Sequence, residues 1–341
     1  MSQCGSAGGT CSACDAQRAD NCGVGGCRCG SALQCPTGVM CLAGSCGGVR
    51  NWAQLTTSGG IVPARNGQGM AYDSFRQRVV MFGGQGTAGN LSDTWEYNPA
   101  TLTWTQRTVT GPPARAFPGM AFDPVRNVTV LFGGNTSSTK LGDTWEWNGA
   151  AWSQRTPTAP PPARGFFASW WDPVRARVAI YGGEASSTTY LSDTWDWNGT
   201  AWVERTGLGV PPVRAVHSVG YDVARQRMVF FGGYNSSSQS GTWELGATWN
   251  QPTPTNPPTA RHAAAIAYDG TSGRIIMVGG YNNGSALSGA YSYDGVAWTA
   301  LSTSTGARAW SNMVFDSTRG KLILFGGYNI NGTTVSETWE Y

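Results

Sequence analysis

The chain has 341 residues, a formal net charge of +3 and only 13% charged residues. With no basic run and its arginines spread along the length, it lacks the concentrated positive footprint of a nucleic-acid binder. No stretch approaches the roughly 18 consecutive apolar residues that a membrane-crossing helix requires.

The first element in chain order is a cysteine-rich segment, residues 1–49. It holds all nine cysteines: Cys4, Cys11, Cys14, Cys22, Cys27, Cys29, Cys35, Cys41 and Cys46. The segment is rich in Gly, Ser and Ala and nearly devoid of large apolar side chains. It cannot build an apolar core, so cross-links are expected to hold it, with one thiol left unpaired or intermolecular. The close pairs Cys11-x-x-Cys14 and Cys27-x-Cys29 also suit zinc. Against zinc, the segment has no histidine, and dense cysteine in a coreless segment is the pattern of oxidising compartments. The expectation is a disulfide-held module in a secreted or cell-surface protein. The N-terminus shows no basic start with an apolar run, so a signal sequence is expected to have been removed or export to use another route. Lysine occurs only at Lys140 and Lys321 among 23 basic residues, a bias that points to a GC-rich, bacterial genome.

Residues 50–341 repeat. Arg65, Arg115, Arg164, Arg214, Arg261 and Arg308 are each followed, eighteen residues later, by the first glycine of a Gly-Gly pair: Gly83, Gly133, Gly182, Gly232, Gly279 and Gly326. The steps between arginines are 50, 49, 50, 47 and 47 residues, a period that marks a stacked or radial array. In the second repeat, strand-like runs cover 116–123, 128–132, 143–147 and 151–155, separated by turn residues and without helical periodicity. Asn148-Gly149 between two such runs is a strong hairpin signal. Each repeat therefore reads as an antiparallel meander of four strands, a to d.

The Gly-Gly pair, the aromatic of strand c and the Trp of strand d recur in register, as in Trp95/Trp104, Trp145/Trp152, Trp195/Trp202 and Trp243/Trp249. This pattern resembles the kelch repeat over residues 50–341, as in the central domain of galactose oxidase, and implies a β-propeller. The cysteine-rich segment is similar to small N-terminal modules of secreted bacterial proteins. The sixth repeat reaches Tyr341 after strand c, while 51–56 matches strand d with no strands a to c before it. Joined, the two complete a blade and close the ring, removing exposed sheet edges. The expected fold is all-β: a disulfide-rich module over 1–49, then a six-bladed propeller over 50–341. Seven residues after each Arg stand Tyr72, Phe122, Trp171, Tyr221, Tyr268 and Phe315, expected to pack between blades.

Each Arg begins strand a, so the arginines and the b–c loops after Gly-Gly are expected round one mouth of the axial channel. A ring of guanidinium groups suits a carboxylate or acidic peptide. A residue present in every blade, however, reads first as architecture, and Arg65, Arg115, Arg164, Arg214, Arg261 and Arg308 are assigned mainly structural roles. What differs between blades is the better guide to a ligand. The blade-specific residues after each Arg include Phe117, Phe166, His217, His262 and Trp310, and the b–c loops open with residues such as Glu184, Tyr234, Tyr281 and Tyr328. These nine are the candidate ligand-binding residues.

No catalytic residue, metal or cofactor is expected. The resemblance to galactose oxidase does not carry over its copper centre, because that needs a Tyr–Cys cross-link and residues 50–341 contain no cysteine. His217 and His262 alone do not make a selective metal site. The reading is a secreted or surface-exposed binding or adhesion protein recognising glycan or protein at the Arg-bearing face. Two others stand beside it: a structural subunit of an extracellular assembly linked through the cysteine-rich module, and a carbohydrate-active enzyme such as a sugar isomerase.

Overall fold

Alternating apolar runs and turn residues build six antiparallel sheets, each stepping outward from a central axis. A computed structural model of the chain describes residues 50–209, 213–215 and 218–341, with Ser218 described by its backbone only. Residues 1–49, where a disulfide-held module is expected, and His217 lie outside the described residues. Trp52–Tyr341 forms one compact unit, distinct from Met1–Asn51.

Blade 1 orders Gly69–Asp73, Arg78–Phe82, Thr94–Asn98 and Thr103–Arg107 from axis to rim, with Ser58–Gly59 added in parallel outside. Blades 2 and 3 begin at Gly119–Asp123 and Ala168–Asp172, blades 4 and 5 at Ser218–Asp222 and Ala265–Asp269. Blade 6 takes Asn312–Asp316, Lys321–Phe325 and Thr338–Glu340 from one end of the domain and Ala53–Leu55 from the other. Thr338 pairs with Leu55, Trp339 with Gln54 and Glu340 with Ala53, so the ring closes as expected. The closure is an antiparallel zip within one sheet: it pairs Thr338–Glu340 on both sides and gives blade 6 its outer strand.

The core lies between blades. Ala71, Val80 and Phe82 of blade 1 pack on Met120, Phe122, Leu131, Trp147 and Trp152 of blade 2. An equivalent apolar cluster fills each of the other five junctions. Tryptophan suits this position because one buried indole covers a large area and still offers a donor. The strand d indole reaches back one blade to a strand c threonine hydroxyl: Trp152 to Thr94 at 2.8 Å, Trp202 to Thr144 at 2.9 Å, and Trp298 to Thr242 and Trp104 to Thr338 at 3.0 Å.

The eighteen-residue spacing has a mechanical origin. Each Arg donates through Nη1 to the carbonyl of the first glycine in its own blade, at 2.9 Å for Arg65–Gly83 and Arg115–Gly133 and 3.0 Å for Arg164–Gly182. Arg214–Gly232, Arg261–Gly279 and Arg308–Gly326 follow at 2.6, 2.7 and 3.4 Å. The second glycine then donates its N–H to the backbone carbonyl of the next blade's Arg, from Gly84 to Arg115 at 2.9 Å round to Gly327 and Arg65 at 2.9 Å. Gly83 has φ 61°, and a Cβ there would lie 2.6 Å from the Arg115 carbonyl oxygen. Glycine is required on both counts.

Two features differ from the sequence reading. In blades 2 and 3, strand b does not stop at Gly-Gly but runs through it, as Val128–Asn135 and Arg177–Ser186, with a register shift at the glycines. The bulge keeps both strands paired while the glycines turn toward the next blade. The ring of Tyr72, Phe122, Trp171, Tyr221, Tyr268 and Phe315 does touch the inter-blade clusters, but it also lines the axial channel. Strand a is the innermost, so its bulky side chains have the lumen on one side.

Candidate functional site

The arginines do stand beside the b–c loops. Bridges join Asn66 to Gln85, Ala116 to Asn135, Gly165 to Glu184, Ala215 to Tyr234 and His262 to Tyr281, and Ala309 pairs with Tyr328. One mouth of the channel is therefore built from the residues after each Arg and those after each Gly-Gly.

The guanidinium groups do not project into that mouth. Arg65, Arg115 and Arg164 are fully buried. Each grips one aspartate with both Nη atoms at 2.6 and 2.7 Å: Asp93, Asp143 and Asp193 respectively. Nε of each donates to a proline carbonyl two residues back at 3.0 Å. Arg308 uses Glu337 at 3.0 Å, and Arg261 turns to Thr259 and the Tyr291 hydroxyl. Burial alone would raise the carboxyls of Asp93, Asp143 and Asp193, but the arginine forks outweigh it and hold all three below the ordinary carboxylate value.

What the mouth presents is aromatic. On blades 4 to 6, His262 meets Tyr234, Tyr281 and Trp310 with ring centroids 5.2, 5.5 and 5.9 Å away. Trp310 in turn lies 4.8 Å from Tyr281 and 5.9 Å from Tyr328. The His262 Nδ1 is 2.9 Å from the Ser238 hydroxyl, and burial pushes the imidazole down to a pKa of about 4, so it is neutral near pH 7. On blades 2 and 3, Phe117 stacks on Phe166 at 4.1 Å, Lys140 sits over the Phe166 ring, and Lys140 pairs with Glu184 at 3.3 Å.

Phe117, Phe166, Ala263 and Trp310 occupy one register, two residues after the Arg, and all have positive φ between 52° and 55°. Gly67 holds the same position in blade 1 with φ 61°. Backbone bonds run head to tail between these residues: Phe117 N to Gly67 O at 2.6 Å, Gly67 N to Trp310 O at 2.9 Å and Trp310 N to Ala263 O at 2.8 Å. Left-handed backbone at a Phe or Trp is uncommon and costs on the order of 1–3 kcal/mol. The collar of hydrogen bonds holds it there.

Eight of the nine candidate residues thus fall in two groups at one mouth, and His217 is outside the described residues. Sequence reasoning missed Lys140, Tyr190, which lies 6.4 Å from Tyr234, and Ser238. All three stand five residues before the strand c Trp and pair with the residue that follows Gly-Gly in their own blade, a register that could have been read by counting back from Trp145, Trp195 and Trp243. Below the collar, the channel encloses about 520 Å³ and has no charged side chain among its described lining residues. No group of three or more His, Cys, Asp or Glu among the described residues is placed to hold a metal.

A ring of four-stranded blades clasped by Arg and Gly-Gly, with variable loops round its mouth, defines a kelch-repeat propeller. A family model described as the KLHDC2/KLHL20/DRC7 Kelch-repeats domain matches residues 47–233, more than half of the chain, and the chain belongs to that family. The solved structure of YjhT is similar in fold, with a TM-score of 0.65 over 81% of this chain and 94% of that one at 14% identity. No curated protein matches the chain.

Proposed function

We propose that this protein is a secreted or surface-exposed binding module that recognises a protein segment or a glycan at the Arg-bearing mouth. Kelch propellers commonly serve as interaction domains. The observation that carries the reading is the belt of Tyr234, His262, Tyr281, Trp310 and Tyr328, with Trp310 held on left-handed backbone. Aromatic faces beside amide and hydroxyl groups stack on the apolar face of a sugar ring or on an aromatic side chain, while the polar groups set orientation. The nine cysteines in residues 1–49 support an extracellular address and a disulfide-held module. Thiol counting on the denatured chain tests that part: one free thiol or none is expected, and nine would exclude it.

The ligand is sought by screening the full chain on a glycan array and against a displayed peptide library, with a Tyr281→Ala/Trp310→Ala double variant in parallel. The selected ligand should bind the variant at least tenfold more weakly at unchanged melting temperature. Equal binding by both proteins would place recognition elsewhere.

A further inference from the structure

Four blades answer their buried arginine with a carboxylate. Asp93, Asp143 and Asp193 do so in blades 1 to 3, and Glu337 in blade 6. The same carboxylate also accepts the strand c indole N–H: Trp95 at 2.6 Å, Trp145 and Trp195 at 2.7 Å, and Trp339 at 2.9 Å. Arginine and tryptophan donors converge on one acid.

In blades 4 and 5 that register holds Gly241 and Gly289. Blade 5 has its own substitute. The Tyr291 hydroxyl is 3.4 Å from Arg261 Nη2, and the guanidinium lies 4.8 Å over the Tyr291 ring. Blade 4 keeps both donors and supplies no acid. Arg214 is 6% exposed and still donates to the Gly232 carbonyl at 2.6 Å, its guanidinium lies 5.4 Å over the Phe230 ring, and its Nε has no hydrogen-bond partner among the described residues. It has no carboxylate partner among the described residues. The Trp243 Nε1, also buried, has no hydrogen-bond partner there. A Cβ built on Gly241 would lie 3.2 Å from Gln251 Nε2 and 3.3 Å from Trp243 Nε1. Gln251 is exposed, and the equivalent aspartates of blades 1 to 3 are 15–21% exposed, so this position reaches solvent.

We propose that blade 4 binds an external carboxylate between Arg214 and Trp243, where blades 1 to 3 place their own aspartates. Acetate has the size of the missing group, being an aspartate side chain without its backbone. A buried guanidinium without a counter-charge is costly, and a charge-assisted pair removes that cost. Burial already holds the Arg214 pKa below its ordinary value, which a bound anion would offset. The carboxylate could belong to a free small acid or to an acidic side chain of a partner; the donor set is the same.

The test is thermal melting of the full chain in sodium acetate or formate against sodium chloride at equal ionic strength. A ligand that binds only the folded state raises the melting temperature in a saturable way. Acetate and formate should do so beyond chloride, and bulky pivalate should not. Gly241→Asp should raise the melting temperature by itself and abolish the acetate response. Asp193→Gly, which recreates the blade 4 arrangement in blade 3, should lower it and be partly rescued by acetate. An acetate effect no larger than that of chloride, or one undiminished in Gly241→Asp, overturns the proposal. Free acetate is then compared with a terminally blocked Gly-Asp-Gly peptide: tenfold tighter peptide binding assigns the acid to a partner side chain, and tighter acetate binding to a free small acid.

Discussion

The indole of Trp52 packs on the phenol of Tyr341, with ring centroids 5.1 Å apart and planes inclined at 31°. Both belong to the cluster of Met313, Leu322 and Leu324 between blades 5 and 6. The two ends of the propeller therefore share one apolar contact as well as one sheet. Trp52→Ala should destabilise the propeller by about 3–5 kcal/mol, the range for a large buried aromatic. Deleting residues 335–341 should remove cooperative unfolding. Denaturant melts read both effects, and unchanged midpoints in both variants would refute closure by these ends.

Blade 5 carries Ala290 where blades 1, 2, 4 and 6 carry Thr94, Thr144, Thr242 and Thr338. Those hydroxyls accept the indole N–H of the next blade, whereas the buried Trp52 Nε1 has no partner among the described residues. Ala290→Thr should therefore stabilise the protein by about 1 kcal/mol, one added hydrogen bond. The gain should vanish in a Trp52→Phe background. A gain that survives there would have another origin.

Arg164→Ala leaves Asp193 without its charge partner, with only the Trp195 indole N–H still donating to its side chain, and should cost about 3–5 kcal/mol, as for breaking a buried pair from one side. The acid dependence follows from the depressed carboxyls of Asp93, Asp143 and Asp193. Their folded pKa lies below the unfolded one, so their stabilisation is present above the ordinary carboxylate pKa. It is lost as pH falls through the folded value. Urea melts of wild type and Asp193→Asn at stepped pH check this. The wild type should lose stability more steeply below about pH 4 than the variant.

His262 should titrate near pH 4 rather than at its ordinary 6.5, because burial disfavours the imidazolium. In the unfolded chain it gains a proton at the higher pH, so stability should fall as pH drops from about 6.5 to 4. Imidazole NMR resonances give the pKa directly. His262→Gln should flatten that part of the stability profile, and a free titration near 6.5 would show that the ring is solvated.

The blade was legible from residues 50–341 because its rules are local and repeated six times. Gly-Gly at positive φ and apolar runs bounded by turn residues each act within a few residues, and every repeat restates them. Ring closure was legible for the same reason, since 51–56 matched a strand lacking its neighbours. Tertiary structure decided what depends on distance across the chain. The acid that answers Arg65 or Arg115 lies 28 positions away on strand c. Glycine at 241 in place of an aspartate therefore carries no visible meaning until the blade is folded. The belt at the mouth likewise joins loops of different blades, where sequence separation no longer measures proximity.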